Sequence, residues 1–252
     1  MNKKILITGS TRGIGFSIAE YFSKNSWDVC ITGKTKENID RAKHTLESRN
    51  ENNLFELIDY TNISELKSLK EVIQQRWGSL NCLVINLGSG KGTKTLKSTF
   101  KENYDLFNLN FTTAYHSIAV FKELLLSSNP ASIIFIGSIA SDCNVGAPIN
   151  YAMSKKSLST LNSYFSLQLS HLGIRVNFIN PGHVNVKDGI WDRKNRENPI
   201  EFETFVQSKT LINRVIEPKE IASFIYSIVE SEYCGAINGS SFTLDGGTSL
   251  IK

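Results

Sequence analysis

The sequence contains few histidines and cysteines, and neither type shows the spacing that a metal site or a redox pair needs. The four histidines have no ligand spacing and the four cysteines include no C-x-x-C pair, so we predict no metal site. Cys30 and Cys82 lie in apolar runs that are typical of strands. We interpret all four thiols, with Cys143 and Cys234, as reduced core residues, which predicts a cytoplasmic protein.

The chain also lacks long apolar runs and blocks of like charge. The apolar run 5–7 is far too short for a signal peptide, and no segment approaches the length of a membrane span. The net charge of +4 is mild and the basic residues are dispersed, so we expect neither a membrane nor a nucleic-acid partner. The G-x-S-x-G signature of serine hydrolases and the Gly-Lys-Ser/Thr ending of a P-loop are absent as well.

What the chain does contain is an alternation of short apolar runs with amphipathic stretches. The runs that predict strands cover residues 4–8, 29–32, 54–58, 82–86, 132–137, 175–180 and 241–244. The stretches that predict helices include 14–25, 37–49, 64–77, 111–126 and 151–172. This alternation predicts a single α/β domain over residues 1–252, with a Rossmann-type, doubly wound parallel sheet and helices on both faces. The polar stretch at about 182–215 interrupts the alternation, and we interpret it as a substrate lid.

A glycine-rich turn follows the first predicted strand and leads directly into the first predicted helix. Gly9 permits a tight turn, Gly13 lets the backbone approach a phosphate, and Gly15 lets helix and strand pack closely. A pyrophosphate would lie on the free N–H groups at the start of the helix. We therefore predict cofactor contacts from Gly9, Ser10, Thr11, Arg12, Gly13, Ile14 and Gly15. An ordinary glycine-rich turn is the alternative, but the position between strand and helix argues against it.

The end of the second predicted strand carries a cation where NAD-preferring dehydrogenases carry an acid that binds the ribose 2′-hydroxyl. Residues 31–35 include Lys34 and no carboxylate, and Arg12 lies in the same neighbourhood. Two cations without an acid suit a 2′-phosphate, so we predict NADP(H) as the cofactor, with NAD(H) less favoured. The alternative is that both are solvated surface cations.

Tyr151 and Lys155 are four residues apart, so they share one face of a predicted helix. Such a pair is a weak signal alone, because chance also produces it. Ser138 directly follows one predicted strand, and Asn86 and Gly88 follow another. Because the carboxyl ends of parallel strands form the ligand-binding edge of an open α/β sheet, we expect these residues to lie at one site.

Taken together, these motifs resemble those of the single-domain short-chain dehydrogenase/reductase family over essentially the whole chain. The matching positions are the turn 8–15, Asp59, Asn86-Leu87-Gly88, the tetrad Asn110, Ser138, Tyr151 and Lys155, the pair Pro181-Gly182, and the turn Asp245-Gly246-Gly247. The resemblance implies an oxidoreductase that transfers a hydride between NADP(H) and a carbonyl or alcohol substrate. It also implies cofactor contacts from Lys34, Asp59, Asn86, Gly88, Tyr151, Lys155, Pro181 and Gly182.

The resemblance assigns roles to the tetrad. A free tyrosine has a pKa near 10, too high for proton exchange at neutrality, and the Lys155 ammonium is expected to lower the pKa of Tyr151. Ser138 is expected to bond the substrate oxygen, and Lys155 to hold the nicotinamide ribose as well. Asn110 is expected to anchor a water in a proton relay.

Three positions depart from the family pattern or stand beside the expected site. Val186 replaces a threonine whose hydroxyl meets the nicotinamide amide in the family, which puts the mode of cofactor binding in doubt. Leu87 replaces a smaller alanine beside the cofactor. His183 either contacts substrate or is an incidental loop residue, and the sequence favours neither.

The substrate is less well defined than the reaction. Many similar family members are 3-oxoacyl carrier-protein reductases, whose acidic partner requires cations near the mouth of the site. By resemblance those cations belong to segments that here are 127–132 and 171–173, which contain almost none, and this argues against a carrier-protein substrate. Segment 189–193 faintly resembles family members of surface-sugar biosynthesis, so we favour a hydroxylated or sugar-like small molecule. Reduction of a 3-oxoacyl carrier protein is the alternative, which leaves both carbohydrate and lipid metabolism open.

A second alternative is a non-catalytic NADP-binding regulator on the same fold. The intact tetrad argues against it, since a sensor does not need a proton relay. Family members usually form dimers or tetramers through helices that resemble 111–126 and 151–172. We therefore expect a homo-oligomer, either a dimer or a homotetramer.

Overall fold

The computed structural model describes residues 2–93, 95, 97–231 and 234–251, and this part of the chain forms a seven-stranded sheet. The strands are β1 Lys4–Ile7, β2 Asp28–Gly33, β3 Leu54–Leu57, β4 Cys82–Ile85, β5 Ala131–Ile136, β6 Ile174–Pro181 and β7 Ser241–Leu244. All neighbouring strands pair in parallel, in the order β3-β2-β1-β4-β5-β6-β7. The predicted doubly wound sheet is therefore confirmed, and the strand order reverses between β1 and β4, where such sheets bind their ligands.

Helices connect these strands and cover both faces of the sheet. The helices are α1 Gly13–Lys24, α2 Lys36–Leu46, α3 Ile63–Trp77, α4 Phe100–Phe107, α5 Thr113–Leu126, α6 Ile149–Ser170, α7 Ile190–Glu197, α8 Pro199–Lys209 and α9 Pro218–Glu230. The predicted helix 37–49 ends earlier, because α2 stops at Leu46 and the chain continues as a 3₁₀ turn, Glu47–Arg49. The predicted helix 111–126 begins only at Thr113, because a π-helical turn, Asn108–Thr112, joins it to α4.

Two apolar cores lie on opposite faces of the sheet, as successive residues of a strand require. Leu6 of β1 faces one core, which contains Phe121 of α5 and Leu158 of α6. Ile5 and Ile7 face the other core, which α1, α2 and α9 cover. The alternation along β1 thus shows why its apolar run belongs to a strand that is buried on both faces.

The cysteines only partly match the prediction. Cys30 and Cys82 are buried and free, and burial raises the pKa of both thiols above the ordinary value. Cys143 and Cys234 are also free but only half-buried, so the prediction that all four are core residues was wrong. Both lie in connecting segments outside the strands, where no apolar run surrounds them.

The polar stretch 182–215 folds mainly as helices rather than as a continuous loop, since it contains α7 and α8. Most of its side chains are exposed, but Val206 and Thr210 are buried and Val184 forms a bridge with Ile216. The segment is therefore held at its ends and open to solvent between them. None of the helices in the described part of the chain is long and apolar enough to span a bilayer.

Candidate active site

A cleft of about 650 Å³ follows the carboxyl ends of β1, β2, β4 and β5. Its lining includes these predicted site residues: Gly9, Thr11, Arg12, Gly13, Ile14, Lys34, Asp59, Asn86, Gly88, Tyr151 and Lys155. The remaining predicted site residues are not part of the lining; they are Ser10, Gly15, Asn110, Ser138, Pro181 and Gly182. The cleft thus joins the glycine turn to the Tyr–Lys pair.

The glycine turn after β1 is tight and closely covered. Gly9 and Gly13 have φ angles of +63° and +62°, which side chains rarely adopt. A Cβ on Gly9 would lie 2.9 Å from Leu87 Cδ1, and one on Gly13 would lie 3.2 Å from Val186 Cγ1. The two residues that depart from the family pattern, Leu87 and Val186, therefore pack directly against the turn.

Asn86 holds the turn from β4. Its Nδ2 donates to the carbonyls of Thr8 at 3.0 Å and Gly9 at 2.9 Å. A Cβ on Gly15 would lie only 2.6 Å from that same Nδ2, so a larger residue at position 15 would displace the amide. Gly15 is thus required by Asn86 rather than by direct exposure to the cleft.

Ser10 also acts within the protein. Its side chain is fully buried, and its Oγ donates to the Ile7 carbonyl at 2.8 Å and accepts from the Thr32 amide at 2.9 Å. The hydroxyl joins the turn to β2 and does not face the cleft, so any cofactor contact at this position falls to the backbone.

A pair of opposite charges closes the far end of the cleft, beyond β2 and β3. Lys34 Nζ lies 2.5 Å from Asp59 Oδ2. Burial acts against ionisation of Asp59, but hydrogen bonds from Lys34 and Thr61 hold its pKa below the ordinary value. Arg12 is exposed, and its side chain has no hydrogen bond or ion pair with the residues that the structure describes. Residues 31–35 at the end of β2 contain no carboxylate, but Asp59, which follows β3, lies beside Lys34. Of the two predicted cations, only Arg12 therefore has no acidic partner among the described residues.

Lys155 is the buried cation of the site. Its Nζ donates to the Ile136 carbonyl at 2.8 Å and lies 6.0 Å from the ring centroid of Tyr151. Burial lowers the pKa of Lys155 to about 8, because the ammonium has lost its water. A Cβ on Gly88 would lie 3.2 Å from this Nζ, which explains why a glycine suits that position.

Tyr151 lies in the first turn of α6, half-buried, with its phenol towards Ser138. Burial raises the pKa of Tyr151, and the side-chain hydrogen bond with Ser138 acts in the opposite direction. In the protein alone the pKa of Tyr151 is therefore raised and not lowered, because burial outweighs this hydrogen bond. Ser138 follows β5 with an extended backbone, and its Oγ also accepts from the Ala140 amide at 3.2 Å.

Asn110 lies at the centre of the π-helical turn and is completely buried. Its Oδ1 accepts from the Ser89 amide at 2.7 Å, and its Nδ2 donates to the Ser89 carbonyl at 3.1 Å and to Ser154 Oγ at 2.9 Å. Ser154 in turn donates to the Tyr151 carbonyl at 2.8 Å. The Asn110 amide thus ties the loop after β4 to the first turn of α6.

Pro181 and Gly182 end β6 away from the cleft lining. Pro181 is buried, and a Cβ on Gly182 would lie 2.7 Å from Asp245 Cα. The turn that begins with Asp245 therefore packs closely on Gly182. The pair Pro181-Gly182 and the turn Asp245-Gly246-Gly247 therefore pack against each other where β6 ends.

An aromatic cluster joins the loop after β6 to the two helices of the polar stretch. His183 lies 4.4 Å from Trp191 and 5.2 Å from Phe205 between ring centroids, and Trp191 stacks on Phe205 at 4.7 Å. Lys194 Nζ lies 5.0 Å from the Trp191 centroid. Burial, and then Lys194, lowers the pKa of His183. His183 is therefore a packed aromatic residue that anchors α7 and α8.

Sequence reasoning missed part of the cleft lining. The additional residues are Gly33, Thr35, Asn38, Ile58, Tyr60, Thr61, Ser89, Gly90, Leu109, Ile136, Gly137 and Ile190. Leu87 and Val186, which the sequence placed beside the cofactor, line the cleft as well. Most of the additional residues lie within a few residues of a predicted strand end, which is the signal that could have identified them. Ile190, at the start of α7, is distant in sequence and carries no such signal.

The structure also corrects the argument about a carrier protein. Asn129 and Gly173 line a separate cavity together with Lys3 and Trp27, which precede β1 and β2. Segments 127–132 and 171–173 therefore lie at the amino-terminal edge of the sheet, opposite the cleft in the same chain. Their lack of cations consequently says nothing about the mouth of this cleft.

Comparisons with known proteins agree with this geometry. The family model described as short chain dehydrogenase matches residues 3–197. The chain is 26% identical over 258 residues to 7alpha-hydroxysteroid dehydrogenase of Paraclostridium sordellii, covering 99% of this chain and 92% of the relative. It is 25% identical over 250 residues to 3-oxoacyl-(acyl-carrier-protein) reductase of Haemophilus influenzae, covering 98% of each.

Solved structures share the fold across the whole chain. ElxO with NADP bound has a TM-score of 0.90 at 24% identity, covering 98% of this chain and 99% of that one. L-Sorbose reductase from Gluconobacter frateurii, complexed with NADPH and L-sorbose, has a TM-score of 0.89 at 23% identity, covering 98% of this chain and 96% of that one.

Proposed function

The chain belongs to the short chain dehydrogenase family of oxidoreductases, and we propose that it transfers a hydride between NADP(H) and a carbonyl or alcohol substrate. One observation carries this proposal: Tyr151 and Lys155 line the same cleft as the glycine turn after β1. A proton donor and a pyrophosphate cradle within one cleft suit a reaction in which a proton and a hydride move together.

The cleft residues fit a dinucleotide. Gly9 and Gly13 line the cleft, and Gly13 is the first residue of α1. Such a helix start favours a pyrophosphate, because its free N–H groups and dipole attract anions. Arg12 and Lys34 stand where a 2′-phosphate would lie, which supports NADP(H) over NAD(H).

The chain's own groups supply the acid–base chemistry. A bound nicotinamide cofactor supplies or accepts the hydride. In reduction, the Tyr151 phenol gives its proton to the substrate oxygen, while the Ser138 hydroxyl donates a hydrogen bond to the same oxygen. The Lys155 ammonium, 6.0 Å from the ring centroid, stabilises the phenolate that remains. Asn110 keeps the first turn of α6 in place through Ser154.

The substrate that we favour is a small, hydroxylated carbonyl compound. The helices α7 and α8, which follow the cleft residue Val186, carry mostly exposed polar and charged side chains. A polar lid suits a substrate with several hydroxyl groups. A 3-oxoacyl thioester remains the second candidate, because the relative from Haemophilus influenzae carries that name.

A homo-oligomer is the assembly that we favour, formed through the outer faces of α5 and α6. Large apolar side chains stand exposed there: Tyr115, Ile149, Met153, Tyr164 and Leu167. Exposed apolar side chains on two neighbouring helices suit burial against a second copy of the same pair. Light scattering of a Tyr164→Asp, Leu167→Asp variant tests the assembly, which should dissociate.

We place the protein in the cytoplasm, since its four thiols are unpaired.

Turnover measurements with purified protein test the activity. L-Sorbose, a 7-oxosteroid and acetoacetyl-coenzyme A would each be supplied with NADPH or NADH, and cofactor oxidation followed by absorbance. We expect NADPH-dependent reduction of at least one compound, most rapidly of the sugar. Tight NADPH binding without turnover on any of them would instead favour the non-catalytic regulator.

A further inference from the structure

A buried asparagine on β6 contacts the backbone of Ser138. Asn180 is 3% exposed, and its Oδ1 accepts from the Ser138 amide at 3.2 Å. Its Nδ2 donates to Ser241 Oγ on β7 at 3.1 Å. The Ser138 N–H fixes which end of the amide faces it, because a main-chain N–H can only donate and therefore needs the carbonyl oxygen. The NH₂ group is then left to donate to the Ser241 hydroxyl, which can accept.

The main-chain ladder explains why a side chain is needed at this point. β5 and β6 pair regularly up to Ile136 and Ile179, and the Gly137 amide still donates to the Ile179 carbonyl at 2.7 Å. Beyond this bond, the Ser138 N–H donates to the Asn180 side chain and not to a main-chain carbonyl of β6. The Asn180 side chain thus continues the hydrogen bonding between β5 and β6 at Ser138, where the chain leaves the sheet.

Gly137 makes room for this contact. A Cβ at that position would clash first with the Phe178 ring and would also lie 2.6 Å from Asn180 Oδ1, so any side chain there would displace both groups. Three neighbouring strands therefore cooperate at Ser138: a glycine follows β5, β6 supplies the amide, and β7 accepts a hydrogen bond from its NH₂ group. A buried amide with both ends bonded has one stable position, and it passes that position on to Ser138.

We propose that Asn180 is a positioning residue that sets the location of the Ser138 hydroxyl relative to the Tyr151 phenol. The inference rests on the proposed function, in which Ser138 bonds the substrate oxygen. The position of the Ser138 hydroxyl depends mainly on the Ser138 backbone. Its Oγ otherwise accepts a 3.2 Å hydrogen bond from the Ala140 amide and contacts Tyr151. A shift of the Ser138 backbone would therefore separate the hydroxyl from the oxygen that it must stabilise.

The hydrogen bond can be tested without a substrate, through exchange of the Ser138 amide followed by NMR. Asn180→Ala removes the acceptor, and we expect this amide to exchange at least about fivefold faster, in line with the loss of one hydrogen bond. Asn180→Asp keeps an oxygen in place and should keep the protection. Asn177→Ala is the matched control, because Asn177 is equally buried on β6 but bonds Ile237 and Ser240 instead. Unchanged exchange in Asn180→Ala would overturn the proposal.

The catalytic role is tested by a double-mutant cycle on the compound with the highest turnover among the three substrates above. Asn180→Ala should lower kcat by about 10- to 100-fold, as small misplacements of catalytic groups do, with the Kd for NADPH unchanged. In a Ser138→Ala background the same substitution should change kcat less than about twofold, because the group that it positions is gone. An equal loss in both backgrounds would show a merely structural role and overturn the proposal.

Two further results distinguish a folding defect, or an error in the proposed function, from a failure of the proposal on Asn180. If Asn180→Ala does not fold, Ser241→Ala, at an exposed position, should loosen the amide and speed Ser138 exchange by a smaller factor; no change there would count against the proposal. A wild-type protein that binds NADPH but reduces none of the compounds would overturn the proposed function and the catalytic role together. The exchange measurement would still decide the hydrogen bond itself.

Discussion

Lys34 and Asp59 form an ion pair at the end of the cleft beyond β2 and β3, with Nζ and Oδ2 2.5 Å apart. The pair is partly solvated, since the Lys34 side chain is 74% exposed, so its strength is modest. Even so, a 2′-phosphate at this end must compete with Asp59 for Lys34. Arg12 has no such competitor among the described residues, and its planar guanidinium suits a phosphate better.

We therefore predict that Arg12 determines the preference for NADP(H) more strongly than Lys34 does. Arg12→Ala should reduce the ratio of the NADP(H) to NAD(H) association constants by about tenfold, and Lys34→Ala by about two- to threefold. Added salt should weaken the preference, because the contacts are ionic. Fluorescence titration with both cofactors measures the ratio. Equal affinity for NADH in the wild type, or an unchanged ratio in both variants, would show that these are only surface charges.

Removal of the Tyr151 hydroxyl should abolish turnover and spare cofactor binding. Tyr151→Phe deletes the proton donor, and we expect kcat to fall by about 10²- to 10⁴-fold, the range typical of general acids. The Kd for NADPH should remain within about twofold, because the phenol contributes little to holding a dinucleotide. Tyr164→Phe, at an exposed position of the same helix, is the control. Turnover close to that of the wild type in Tyr151→Phe would refute the central role of this residue.

The sequence predicts those parts of the fold whose signal is local. The apolar run at β1 and the glycines that follow it identify a strand, a turn and a helix start, because burial on both faces and positive φ angles leave direct traces in sequence. α7 and α8 leave a weaker trace, since their apolar residues, such as Trp191 and Phe205, are few and lie among polar and charged ones. Their helical form depends instead on local capping and on packing around Trp191.

Contacts between distant strands could not be predicted. Nothing near Lys34 in sequence indicates that Asp59 neutralises it, and nothing near Ser138 indicates Asn180. The sequence does place Tyr151 and Lys155 on one helix face, but their pKa values depend on burial, which only the packed structure defines. Chemistry-bearing residues were therefore easier to identify than the residues that restrain them.

The aromatic cluster predicts how the lid is held. Trp191→Ala removes the stack between His183 and Phe205, so α7 should detach more often from the loop after β6. Amides of α7 should then exchange about tenfold faster or more, as expected when the main apolar contact of a short helix is lost. The KM for NADPH should rise as well, since Ile190 of α7 lines the cleft.

Trp77→Ala is the matched control for this experiment, because Trp77 ends α3 and is not part of the cleft lining. It should leave exchange in α7 unchanged. In the wild type, NADPH should slow exchange in α7 more than in the strands. Uniformly slow exchange over the segment at about 182–215 in the free protein would contradict a mobile lid.

Burial of Lys155 predicts that this residue lowers the stability of the fold although the proposed activity requires it. The pKa of Lys155 is lowered from 10.5 to about 8 in the folded protein, so folding disfavours its proton. The folded-state pKa lies below the unfolded one, so the destabilisation is complete below about pH 8 and disappears as pH rises from about 8 to 10.5. Lys155→Met should therefore raise the free energy of unfolding at pH 7 by up to about 3 kcal/mol while it abolishes turnover.

Urea unfolding of wild type and Lys155→Met at pH 7 and pH 10 measures this difference, which should be large at the lower pH and small at the higher one. The loss of the 2.8 Å bond to the Ile136 carbonyl reduces the gain at both pH values, so the change with pH is the decisive quantity. Lys156→Met is the control, because Lys156 is exposed and pairs with Asp142 at 2.6 Å. That substitution should lower stability by at most about 1 kcal/mol, as surface ion pairs do. A difference between wild type and Lys155→Met that is constant from pH 7 to pH 10 would mean that Lys155 keeps an ordinary pKa and that burial does not destabilise its ammonium.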